Sequence, residues 1–126
     1  MPELQEIAEL LRSFDEGSDP LHVDITPSVL KLIELKLDGA LAVCGLLNSE
    51  NRLTRMRALR VIEGAVFLHL GFRYGLGFQD AKSERHARHV LTENGYDPDA
   101  PEPQRHESAD RWRRWLLSEM GKRDEL

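Results

Sequence analysis

"TPSVLKLIELKLDGALAVCGLLNSENRLTRMRALRVIEGAV", residues 26–66, decides the fold. Thr26 and Pro27 make a clear helix start: a hydroxyl that can accept from the first free amides, then a proline with no N–H to lose. "SVLKLIELKL" reads as a helix and Asp38–Gly39 as its break. "ALAVCGLL" forms a second, short helix of small and apolar residues. "NSEN" interrupts the pattern again and offers Asn48, Ser49 and Asn51 as turn or cap residues. A long helix follows from about Arg52 to Leu70, ended by Gly71.

The flanks read the same way. Upstream, Leu4, Ile7, Ala8, Leu10 and Leu11 make one apolar stripe among glutamates, which predicts a helix from about Pro2 to Phe14. "DEGSDPLHVDI" (15–25) is a loop. Downstream, "GFRYGLGF" (71–78) is a glycine-aromatic loop. Asp80 caps a helix through "AKSERHARHVLTEN", and Gly95 stops it. "YDPDAPEP" (96–103) is a proline-rich connection. The last helix spans roughly Arg105 to Met120, closed by Gly121. β-branched residues nowhere alternate with polar ones for long, so strands have little support. The expectation is an all-α fold of about six helices in one domain. It divides into an N-terminal helix and loop (1–20), a core (26–71), and a loop with two C-terminal helices (72–126).

The chain has 126 residues, 40% apolar and 31% charged, enough to bury a core without disulfides or metal. Its single cysteine, Cys44, sits inside an apolar run and reads as a small hydrophobe, which suits a reducing cytoplasm. The start, "MPELQEIAELLRSF", lacks the basic and apolar regions of a signal peptide. The closing "RDEL" looks like an ER-retention tail, but such a tail is read only after entry into the secretory route. No run approaches membrane-spanning length.

The net charge of −5 hides an asymmetry. Residues 1–50 carry 3 basic and 10 acidic side chains, a net −7. Residues 51–90 carry 8 and 3, a net +5, and residues 91–126 carry 6 and 9, a net −3. An acidic protein is a poor general ligand for nucleic acid. The basic middle third keeps that alternative open, unless the acidic flanks neutralise it on folding.

Residues 26–66 resemble the HEAT-repeat family of α-solenoids. "ALAVCGLL" corresponds to the helix before the polar turn, "NSEN" to the turn, and "RLTRMRALRVI" to the helix after it. Each helical hairpin in such a fold hides one face only by stacking on its neighbour. The resemblance covers about a third of the chain, and residues 72–126 do not repeat it. It implies a short, capped α-α superhelix and a scaffold that binds proteins or, less often, nucleic acid. It does not imply catalysis.

Candidate residues follow. On a helical wheel Arg55, Arg52, Arg60 and Arg57 fall at about −60°, 0°, 80° and 140°, so they form no single phosphate-binding stripe. Arginines in a first helical turn oppose the helix dipole, so compensating acid is expected, with residues 1–50 as its source. Glu63 lies near 20°, in the middle of an apolar arc. A carboxylate there must be paired or have a raised pKa, and Arg60, one turn back, is the expected partner in a buried ion pair; Arg73 is another. Phe72, Tyr74 and Phe78 are expected to pin their loop to the helices, with a ligand-binding loop as the alternative. His86 and His89 share a face but fall short of a zinc site, which Glu84, His69 or His106 could complete only by tertiary coincidence. Trp112 and Trp115 read as an anchor docking the last helix.

No catalytic residues, metal or cofactor are therefore expected. The expected function is binding of another protein through a helical face, with Arg52, Arg55, Arg57, Arg73 and Tyr74 as the contact surface. Nucleic-acid binding through the basic segment 52–88 is the alternative. The oligomeric state is not legible.

Overall fold

The computed structural model describes residues 3–124. Pro2, at the expected start of the first helix, and Glu125 and Leu126 of the "RDEL" stretch lie outside the described residues. Six α-helices follow one another: α1 (Leu4–Arg12), α2 (Pro27–Glu34), α3 (Leu37–Val43), α4 (Arg52–His69), α5 (Ala81–Asn94) and α6 (Glu102–Asp124). A 3-10 segment, Cys44–Asn48, extends α3. The fold is all-α; among the described residues the only β pairings are isolated bridges at Asp19–His22 and Arg73–Gly77.

Helix α4 is the centre. Ala58, Val61, Ile62, Ala65 and Val66, at the three-and-four spacing of one helical face, are fully buried. They meet Val29, Leu32 and Ile33 of α2 and Leu37, Ala40 and Val43 of α3. Burying a side chain such as Leu32 contributes about 2 kcal/mol, so this three-helix junction supplies most of the apolar drive. Helix α6 lies over α3 and the 3-10 segment, and turns Ala109, Trp112 and Leu116 into the same core. Helix α5 bridges α4 and α6. Helix α1 leans on α2 and α3 with no fully buried residue of its own; Phe14, just beyond it, supplies the buried anchor.

Three helix starts lie at the expected caps. Thr26 Oγ1 accepts from the Val29 amide at 3.1 Å and donates to the Phe14 carbonyl at 2.8 Å. Asn51 accepts from the Thr54 amide at 3.2 Å, and Asp80 from the Ser83 amide at 2.7 Å. Two breaks differ from expectation. The interruption after α2 falls at Leu35–Lys36, where Lys36 takes a positive φ of 55°, and Asp38–Gly39 lie inside α3. Gly39 serves close packing instead of a turn: a Cβ there would stand 1.9 Å from the Leu32 carbonyl oxygen. Helix α6 begins three residues earlier than expected and runs through Gly121. A single glycine costs a helix only about 1 kcal/mol relative to alanine, which this long helix tolerates.

Candidate functional site

The arginines of α4 occupy its first three turns, where the sequence left open whether they grip a partner. Each one is engaged within the fold. Arg52 forms a two-pronged pair with Asp99, Nη2 to Oδ2 at 2.9 Å, and this bond holds the Asp99 carboxyl below its usual range. Arg55, 8% exposed, donates to the carbonyls of Pro98 at 3.0 Å, Ser49 at 2.9 Å and Glu50 at 3.1 Å. Arg57, 6% exposed, donates to the Val23 carbonyl at 2.8 Å and to Asp15 Oδ1 at 2.8 Å. Arg60 pairs with Asp24 at 2.8 Å.

Compensating acid from residues 1–50 thus reaches Arg57 through Asp15 and Arg60 through Asp24. The acid for Arg52 comes from the opposite flank, and Arg55 is satisfied by carbonyls alone. Together Arg52 and Arg55 fasten the 95–101 connection to the start of α4. Tyr96 adds a hydroxyl bond to the Leu47 carbonyl at 2.6 Å, and Arg105 donates to the Ala100 carbonyl at 2.6 Å.

Glu63 pairs with Arg60 at 3.3 Å, and its side chain is 35% exposed, so the pair is half-buried instead of sealed. Burial pushes the Glu63 carboxyl up, against the pull of Arg60 and with a small push from Asp24. Burial also raises Asp24, but the hydrogen bond and charge of Arg60 outweigh it and leave Asp24 below its ordinary value.

Arg73 and Tyr74 lie past the opposite end of α4 from Arg52, Arg55 and Arg57. About 18 Å of helix, from Arg57 to His69, separates the two groups, so the five residues do not form one surface. The 71–79 loop is a tight structure in its own right. Arg73 N–H donates to Gly77 O at 3.0 Å, and the Gly77 and Leu76 amides return to Arg73 O at 2.9 and 3.0 Å. The turn needs Gly75 at φ +79° and Gly77 at φ +74°, conformations that side chains rarely adopt.

An aromatic base holds this turn. Phe78 meets Phe67 edge-on with centroids 5.2 Å apart and Phe72 at 5.5 Å, while the Arg88 guanidinium stands 5.9 Å from the Phe67 centroid. At the tip, Tyr74 is 68% exposed and Leu76 is 84% exposed, although the Tyr74 ring still leans edge-on against Phe72. Beneath the tip an open cavity of about 440 Å³ is lined by Gly71, Arg73, Leu76, Gly77, Phe78 and Gln79. The Arg73 side chain meets no acid and no hydrogen-bond acceptor among the described residues. Leu76 was missed at the sequence level, although an apolar residue isolated between two glycines is a readable signal of a displayed side chain.

Three of the five histidines take carboxylate neighbours instead of converging, and among the described residues no such pair involves His86. His69 contacts Glu119 at 3.4 Å, His89 contacts Glu93 at 3.3 Å and His106 contacts Glu102 at 3.5 Å. Among the described residues no group of three or more His, Cys, Asp and Glu side chains is placed to hold a metal ion. Nor is any helix there long and apolar enough to cross a membrane. Trp112 is buried against the core with Trp115 edge-on at 5.9 Å. Burial pushes the Cys44 thiol up to about 11, far from the range of a reactive thiolate. No known protein family, curated protein or solved structure matches this chain.

Proposed function

We propose that this chain is a non-catalytic interaction module that docks onto a partner protein through the tip of its 71–79 loop. One observation carries the reading: Tyr74 and Leu76 stand in solvent beside the Arg73 guanidinium on a turn braced from below by three phenylalanines. Tyrosine and arginine are enriched among residues that dominate protein interfaces, and a rigid loop loses little entropy on binding. The arginines of α4 contribute to this reading only indirectly, by holding the helix that carries the loop. The HEAT-like reading of residues 26–66 belongs to the same proposal, as does a cytoplasmic setting, which a lone buried thiol suits.

Photo-crosslinking tests it. A photoreactive residue placed at Tyr74, with a control at the exposed Leu21, is irradiated in native extract. The expected result is a protein adduct specific to position 74 that Leu76→Asp abolishes. That variant should keep its stability within about 0.5 kcal/mol, because Leu76 is exposed. Equal capture at both positions, capture undiminished by Leu76→Asp, or an adduct to nucleic acid would overturn the proposal.

A further inference from the structure

The cavity beneath the loop tip has a composition that selects its occupant. It is lined by Leu76, Phe78, Gly71 and Gly77 together with the polar residues Arg73 and Gln79. The surroundings are basic. Lys82 and Arg85, both exposed, follow on the first turns of α5 and act on Asp80 at a distance without forming a salt bridge among the described residues.

The two acids nearby are already committed. Asp80 caps α5 through the Ser83 amide at 2.7 Å, and Glu84 pairs with Arg88 at 3.4 Å. This leaves an open concave surface, slightly more polar than apolar, with the unengaged Arg73 among its lining residues and the cations Lys82 and Arg85 following on α5. An apolar side chain next to a carboxylate satisfies both features: the first removes Leu76 and Phe78 from water, and the second gives Arg73 a charge-assisted partner.

We infer that the 71–79 cavity binds a short acidic–apolar peptide segment of the partner protein, its apolar side chain between Leu76 and Phe78 and its carboxylate on Arg73. This rests on the docking reading above and names the chemistry of the docked segment. An extended polyanion is the weaker fit, because the chain's net charge of −5 repels it beyond the local basic rim. A short acidic segment stays inside that rim. The loop's internal hydrogen bonds also mean that the cavity exists before the peptide arrives.

The test is fluorescence anisotropy with the full chain and four labelled probes: a peptide with leucine flanked by glutamates, its lysine-for-glutamate counterpart, its serine-for-leucine counterpart, and a short single-stranded oligonucleotide. The glutamate–leucine peptide is expected to bind saturably. Its affinity should fall about tenfold or more with Arg73→Glu and with Leu76→Asp, and should weaken as salt rises. The other probes should bind at least about tenfold more weakly. Circular dichroism of both variants establishes that they fold. Absence of saturable binding, equal binding of the lysine or serine peptide, tighter binding of the oligonucleotide, or indifference to Arg73→Glu would each overturn the inference. If the peptides fail while position 74 still captures a Leu76-dependent protein, the acidic–apolar occupant is wrong and the docking surface stands. If both fail, both readings fall.

Discussion

Arg57 and Asp15 are 42 residues apart in the chain and 2.8 Å apart in the fold. The arginine is buried and the carboxylate half-exposed, so the pair closes the N-terminal loop over α4 from the inside. The same guanidinium also satisfies the Val23 carbonyl. Arg57→Ala removes both bonds and the packing of the arginine stem. The expected loss is about 2–3 kcal/mol in urea unfolding. Asp15→Asn keeps an acceptor at a half-exposed position and should cost about 1 kcal/mol or less. Asp15 also accepts from Thr54 Oγ1 at 2.9 Å, so equal losses for the two variants would place the weight on the Asp15 carboxylate and not on the Val23 bond.

Gly39 separates two readings of one residue. A glycine that only ends a helix would tolerate alanine at small cost. A Cβ at position 39 would instead stand 1.9 Å from a backbone oxygen of α2, which cannot move without displacing the helix. Gly39→Ala should therefore destabilise by about 3 kcal/mol or more, or prevent folding, whereas Gly121→Ala should stabilise by up to about 1 kcal/mol. Thermal melts of the two variants decide it, and a neutral Gly39→Ala would refute the close approach.

The acid–base behaviour has two opposing parts. The Asp24 and Asp99 carboxyls are held below their ordinary range, so their contribution is complete above the unfolded-state pKa and is lost as pH falls through the folded-state value. Glu63 is shifted the other way, mainly by burial. Its ionisation opposes folding, and its protonation stabilises the fold as pH drops through the raised value. Glu63→Gln should thus raise stability at neutral pH and remove part of the gain otherwise seen in mild acid. Asp99→Asn should lower stability at neutral pH and flatten the decline in stronger acid. Urea midpoints across neutral, mildly acidic and strongly acidic buffers test both, and a Glu63→Gln variant less stable at neutral pH would reverse the sign.

Local chemistry was legible where one residue type serves one purpose. Thr26, Asn51 and Asp80 cap their helices because a short oxygen-bearing side chain before an apolar run has few other uses there. Trp112 and its helical neighbours faced the core for equally local reasons. Tertiary contacts were not legible. The break at Lys36 carries no glycine to announce it, while the glycine three residues later is required by a neighbouring carbonyl. Arg55 gives no sequence signal that its partners are backbone oxygens at positions 49, 50 and 98. The five expected contact residues fall into two groups toward opposite ends of α4, a separation that the expected helix from Arg52 to Leu70 already contained.

The fastenings at the start of α4 have a kinetic consequence. Arg57 to Val23, Arg60 to Asp24, Arg55 to Pro98 and Arg52 to Asp99 join positions 34, 36, 43 and 47 residues apart. Each ties α4 to a loop through polar groups, whereas the junction of α2, α3 and α4 is built from the apolar side chains of the core. The arginine bonds are therefore expected to form after the folding barrier and to act as latches on the route out. Their removal should steepen escape from the native state while leaving the refolding arm of a chevron plot nearly unmoved. Slower refolding of Arg52→Ala or Arg57→Ala would instead place these latches in the nucleus. With the refolding arm unmoved, the charged residues that first suggested a grip on another molecule set how long this one stays folded.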